Sequence, residues 1–116
     1  GIATAQDPDL LARVVDEGIV LEVCPTSNVT LGVVDTLAAH PLVALAAAGV
    51  AVTVNSDDPP FFTTTLTDEL GHAATLLDLD AAGLATLQRR AIDASFAPAE
   101  VRTTVHAAID AWQAAG

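Results

Sequence analysis

The sequence has no methionine, no tyrosine and no lysine, and only one cysteine, Cys24, and one tryptophan, Trp112. A single cysteine excludes an internal disulfide and fits a reducing compartment, so a cytoplasmic location is expected. Positive charge is also scarce. Arg13, Arg89, Arg90 and Arg102 face 15 acidic residues, for a net charge of −11. With no basic patch, such a surface repels phosphate backbones, which argues against a nucleic-acid partner and for a small neutral ligand. No apolar run approaches the roughly 20 residues that a membrane span needs, so no membrane partner is expected. Gly1–Asp7 lacks the basic-then-apolar order of a signal peptide. The missing methionine and the abrupt start at Gly1 lead to the expectation that these 116 residues continue a longer chain.

Hydrophobic residues make up 52% of the chain, enough for a real core. Asp7-Pro8-Asp9 is a helix start, with Asp7 as N-cap and Pro8 at the first position. Leu10, Leu11, Val14 and Val15 give that helix one apolar face, and Gly18 stops it. Ile19 to Cys24 then reads as a strand closed by Pro25. A second helix is expected from Pro41 to Gly49, and a second strand from Val50 to Val54. Both strands are almost uniformly apolar, which suits a parallel sheet buried on both faces. The alternation makes an α/β fold with helical crossovers. The rest reads as helical. Thr65 and Asp68 form a capping box, Asp80 caps the next helix, and Pro98 and Glu100 open the last one. Two apolar strands alone leave faces and edges unpaired, so further strands from missing chain are expected to complete the sheet.

The chemistry concentrates after the strands. Asn55-Ser56-Asp57-Asp58-Pro59 follows the second strand directly, where α/β folds build their sites. Adjacent carboxylates there call for compensation by a metal or a proton, and a carboxylate oxygen suits zinc. The same residues also suit an ordinary loop opening with Asp before Pro. Cys24-Pro25-Thr26-Ser27-Asn28 follows the first strand, and if the strands are parallel neighbours it shares a rim with Asp57 and Asp58. Taken alone, it reads equally well as a polar turn.

Leu21 to Asn28 (LEVCPTSN) resembles the penultimate barrel strand of the adenosine deaminases. Val52 to Pro59 (VTVNSDDP) resembles their last strand with its paired aspartates. His40-Pro41-Leu42 and Leu66-Thr67-Asp68-Glu69 match the flanking segments. The resemblance covers nearly the whole chain. It implies the C-terminal portion of a (β/α)₈ (TIM) barrel, holding the last two parallel strands with flanking and C-terminal helices. Residues 1–116 are then a partial deaminase barrel domain. The resemblance further implies a single zinc with Asp57 as its carboxylate ligand, and Asp58 at N7 of a purine. Three histidine ligands, a glutamate that protonates N1 and a catalytic histidine would lie upstream of Gly1. Gly1 itself resembles the last residue of the family's Gly-His-Gly stretch. Ser27 or Asn28 would hold Asp57 in orientation.

The expected reaction of the complete protein is therefore hydrolytic deamination of adenosine or deoxyadenosine to the 6-oxo nucleoside and ammonia, in purine salvage. Adenine or another 6-aminopurine nucleoside is the alternative substrate. The chain also departs from a complete deaminase. It has no His-x-His pair. His72 and His106 fall on predicted helices, and His40 reads as a cap or packing residue before Pro41. The Pro-Cys-x-x-Cys pattern of the nucleic-acid and cytidine deaminases is absent. Two other readings stay open: an inactive barrel portion with a structural or interaction role, and a different metal-dependent barrel hydrolase.

Overall fold

The computed structural model describes all residues 1–116. A 3₁₀ turn at Ile2–Gln6 leads into helix α1 (Pro8–Asp16), whose N-cap Asp7 accepts the backbone N–H groups of Asp9 and Leu10 at 3.1 and 3.0 Å. Gly18, at φ +64°, turns the chain out of α1. Strand β1 (Leu21–Val23) follows, then helix α2 (Pro25–Thr30). After a 3₁₀ turn at Leu37–Ala39 come helix α3 (Leu42–Ala47), Gly49 at φ +85° and strand β2 (Val52–Val54). Both glycines occupy the left-handed conformation that ends a helix and that other residues adopt at a cost. Four helices complete the chain: α4 (Pro59–Phe62), α5 (Leu66–Leu77), α6 (Ala81–Ala94) and α7 (Ala99–Ala115).

The two strands pair in parallel, with Leu21 opposite Val52, Glu22 opposite Thr53 and Val23 opposite Val54. The ladder is shorter than the apolar runs at 19–24 and 50–54 because only these three pairs are bridged. β2 is buried along its length, but β1 is not: Glu22 is exposed. The expectation of two fully buried strands therefore holds for β2 alone. Helices α5 and α6 cover β2. Leu42 and Leu45 of α3 are fully buried and form one core with Val14, Val23, Val50, Val52, Val54, Ala73 and Leu87. The capping box at Thr65 and Asp68 is formed in both directions, and Asp80 accepts the N–H of Gly83 at 2.8 Å.

Candidate active site

Parallel pairing sends Cys24–Asn28 and Asn55–Asp58 out of the sheet at the same end. The first of these segments is not a loop. Pro25 occupies the first position of α2, where its missing N–H costs nothing, and Asn28 donates its N–H to Cys24 O at 2.9 Å. This turn places Ser27, 2% exposed, so that its Oγ donates to Asp57 Oδ2 at 2.8 Å across 30 residues of sequence. Asp57 is held at φ +57°, a left-handed conformation that Asp tolerates better than most residues and that costs about 1 kcal/mol. The Oδ1 of Asp57 accepts no hydrogen bond within the chain, and the residue is exposed. Asp58 is exposed too, and its side chain is unbonded. Its carbonyl accepts the N–H groups of Phe61 and Phe62 and so opens α4. Those two rings pack edge to face, with centroids 5.0 Å apart.

Asn28 does something other than expected. Its Oδ1 lies 3.0 Å from His40 Nε2, so it holds His40 and not Asp57. The Nδ1 of His40 accepts the N–H of Leu42 at 3.0 Å, which makes the ring a neutral Nε2–H tautomer that donates to Asn28. His40 is 3% exposed, and burial holds its pKa below the usual histidine range, with the charge of Glu69 opposing more weakly. His40 is thus a buried cap for the start of α3. His106 donates to Asp93 at 2.7 Å between α7 and α6, away from the rim. His72 lies within α5.

The sequence reading gave no role to Glu69, which is fully buried and has no cation beside it. Its Oε2 accepts the N–H of Thr26 at 3.1 Å, and its Oε1 accepts the hydroxyl of Thr64 at 2.6 Å. A signal for it exists: Glu69 stands three residues after Leu66 and four before Ala73, on the apolar face of α5, where a carboxylate is out of pattern. Cys24 sits between these groups. Burial pushes its thiol pKa up, and the charges of Asp57 and Glu69 push in the same direction. Beside it, Thr26 Oγ1 is buried without a hydrogen-bond partner.

Nowhere do three or more His, Cys, Asp or Glu side chains gather as a metal would require. At the rim, Asp57 Oδ1 and the carboxylate of the adjacent Asp58 are free of hydrogen bonds, which is not a complete donor set for a metal.

The adenosine deaminase family pattern matches residues 1–112. The chain belongs to this family. Its relatives include an aminodeoxyfutalosine deaminase of Streptomyces avermitilis, 50% identical over 99% of this chain and 32% of that protein. An adenine deaminase of Mesorhizobium japonicum is 46% identical over 95% of this chain and 34% of its own length. Among solved structures, an adenine deaminase from Arthrobacter aurescens superposes with a TM-score of 0.88 at 38% identity, covering 97% of this chain and 34% of that one. The N6-methyl-AMP deaminase of Arabidopsis thaliana gives 0.83 at 28% identity over 90% of this chain and 31% of that one. The chain thus spans about a third of the length of the relatives it matches. Within the family it has the fold of a C-terminal portion of a TIM barrel, and the relatives named here are deaminases. No helix is long and apolar enough to cross a membrane.

Proposed function

We propose that the protein carrying this segment hydrolytically deaminates a 6-aminopurine, with Asp57 as the carboxylate ligand of one zinc ion and Asp58 at N7 of the base. The observation that carries this reading is the Asp57–Asp58 pair at the strand ends, with Asp57 already fastened by Ser27. A serine hydroxyl on Oδ2 fixes the carboxylate's rotation and leaves Oδ1 for a metal. Ligating carboxylates are generally oriented in this way by a second hydrogen bond. When bound, zinc supplies the Lewis acidity that makes a water nucleophilic near neutral pH. Asp58 orients the base. N7 is an acceptor and an ionised carboxylate only accepts, so one of the two carries a proton in the complex.

For the substrate, the names of the relatives favour adenine or aminodeoxyfutalosine over the adenosine expected from sequence. Residues 1–116 are on this reading part of one barrel domain, and catalytic zinc needs at least three protein ligands. The isolated segment is therefore expected to bind no stoichiometric zinc and to release no ammonia. The test is ammonia release by the full-length protein from adenine, aminodeoxyfutalosine, adenosine and deoxyadenosine in parallel, with zinc content measured on the same preparation. Turnover of adenine or aminodeoxyfutalosine at least about tenfold above adenosine, with one zinc per chain, is the expected outcome. No zinc and no ammonia from any of the four would overturn the reading.

A further inference from the structure

The polar groups at the rim form a closed circuit through a residue that touches neither the prospective metal nor the substrate. The loop that carries Asp57 leaves β2 and returns to the protein at Thr64, just before α5. There the hydroxyl of Thr64 donates to Glu69 Oε1 at 2.6 Å. The other oxygen of Glu69 takes the N–H of Thr26 at 3.1 Å, 43 residues away in sequence. The next residue along α2, Ser27, donates to Asp57 Oδ2 at 2.8 Å and closes the circuit.

The N-cap of α2, Cys24, makes no side-chain capping bond. A Ser, Thr, Asn or Asp at that position is the ordinary local way to satisfy a first-turn N–H. Here a carboxylate from a distant helix serves instead, although burying it without a cation is costly. A distant cap does what a local one cannot, because it fixes where α2 starts relative to the end of the loop that carries Asp57. Asp57 also sits in a left-handed backbone conformation, which persists only when its surroundings hold it.

We infer that Glu69 is a positioning residue: by bridging Thr26 and Thr64 it sets the register between α2 and the 57–64 loop, and so holds the Ser27 hydroxyl on Asp57. The inference rests on the reading of Asp57 as a metal ligand for its functional consequence, and on geometry alone for the Ser27–Asp57 bond. It differs from a packing role. Glu69→Gln preserves the bridge, because the amide oxygen accepts from Thr26 while the amide N–H donates to a Thr64 hydroxyl turned toward Thr65 O, 3.4 Å away. Glu69→Ala removes the bridge.

The experiment uses the full-length protein with four variants: Glu69→Ala, Glu69→Gln, Ser27→Ala and the Glu69→Ala/Ser27→Ala double. Zinc affinity is measured by competition with a chelator well below each melting temperature, and the Ser27–Asp57 distance in crystal structures. Residues that orient metal ligands typically matter by 10–100-fold in affinity. Glu69→Ala is expected to weaken zinc about tenfold and to open the Ser27–Asp57 bond, whereas Glu69→Gln stays within about threefold. Because Glu69 acts through Ser27, the double variant matches Ser27→Ala to within about twofold. A lower melting temperature with zinc affinity and the Ser27–Asp57 bond unchanged would overturn the inference, as would losses that multiply in the double variant. If Glu69→Ala does not fold, Thr64→Val removes one anchor and takes its place, with an expected loss of about threefold. Wild-type protein without zinc overturns the proposed function, while the Ser27–Asp57 distance in the variants still decides the role of Glu69.

Discussion

The rim around Asp57 and the helical pair α6–α7 solve opposite problems. At the rim, side chains bond groups from distant parts of the sequence: Ser27 to Asp57, Glu69 to the backbone N–H of Thr26, and His40 to Asn28. In α6–α7 the polar links tie the pair to itself. Arg89 reaches Asp110 and Gln113, His106 reaches Asp93, and Arg102 donates to the carbonyls of Ala97 and Ser95 in the connecting turn. No residue of α7 is buried, Trp112 is 51% exposed, and Phe96 is fully exposed. An apolar groove of about 590 Å³ runs between α5, α6 and α7, lined by Leu70, Leu84, Val105, Ile109 and Trp112 among others. The rim side chains Ser27, Asp57 and Glu69 are thus fastened within this chain, while the helical pair leaves apolar surface uncovered.

The sharpest way to break that contrast is to remove one residue from each region in the full-length protein. Asp57→Ala is expected to lose bound zinc and turnover together. Loss of a Lewis acid worth several kcal/mol corresponds to roughly a thousandfold in rate or more. Measured against zinc-free wild type, its melting temperature should fall only modestly, because Asp57 is exposed and the cost is mainly that of alanine at φ +57°. Trp112→Ala should do the reverse, costing about 2 kcal/mol of stability for a half-buried aromatic with zinc content intact. Zinc content by emission spectroscopy and thermal melts check both. An Asp57→Ala protein that keeps full zinc and rate removes Asp57 from the metal.

The same contrast explains how much the sequence revealed. Features set by neighbours in sequence were legible: the Asp7 cap, the Thr65–Asp68 box, the Asp80 cap, and the turns at Gly18 and Gly49. The parallel pairing of 19–24 with 50–54 was also legible, since uniformly apolar runs separated by helices have few other arrangements, although the ladder is shorter than the runs. The helix at Pro25–Thr30 was not. Pro25 after an apolar run signals the end of a strand, and the group that satisfies the Thr26 N–H lies 43 residues away on α5. The choice between Ser27 and Asn28 as the partner of Asp57 is open in the sequence for the same reason. Two polar side chains reach the same rim, and only the fold decides that Ser27 meets Asp57 while Asn28 meets His40. The family resemblance placed the aspartates, but it carried no information about the bonds behind them.

A smaller effect is expected at Asp58, which the proposed function sets against N7 of the base. Its side chain makes no hydrogen bond in the chain, so truncating it disturbs little structure. Losing one hydrogen bond to N7 should cost about 2 kcal/mol, roughly thirtyfold in kcat/KM, without loss of zinc. A 7-deaza substrate, which has carbon in place of N7, isolates the contact. Asp58→Ala should slow the natural substrate about thirtyfold and the 7-deaza analogue only slightly. Equal slowing of both would mean that Asp58 acts on the metal, the water or the loop.

The smallest expected effect is on stability and belongs to His40. Its Nδ1 accepts the N–H of Leu42, and its Nε2–H donates to Asn28, so the folded protein holds the ring neutral. Burial is the main cause of its lowered pKa, and Glu69, the nearby charge that acts on it, opposes only in part. The unfolded chain takes up a proton near the ordinary value of 6.5, whereas the folded chain takes it at lower pH. Between those two values the unfolded state holds more protons, so stability rises with pH there. The contribution of His40 is therefore full above about pH 6.5, declines as pH falls below it, and levels off once the folded ring itself is protonated. Protonating Nδ1 would also leave the Leu42 N–H without its acceptor, which acts in the same direction. His40→Asn keeps a side-chain oxygen near the Nδ1 position but does not titrate. Urea unfolding between pH 5.5 and 7.5 should show wild type losing stability toward the acid end and His40→Asn losing less. Parallel slopes in the two proteins would place the pH dependence elsewhere and would remove the rim's claim to it.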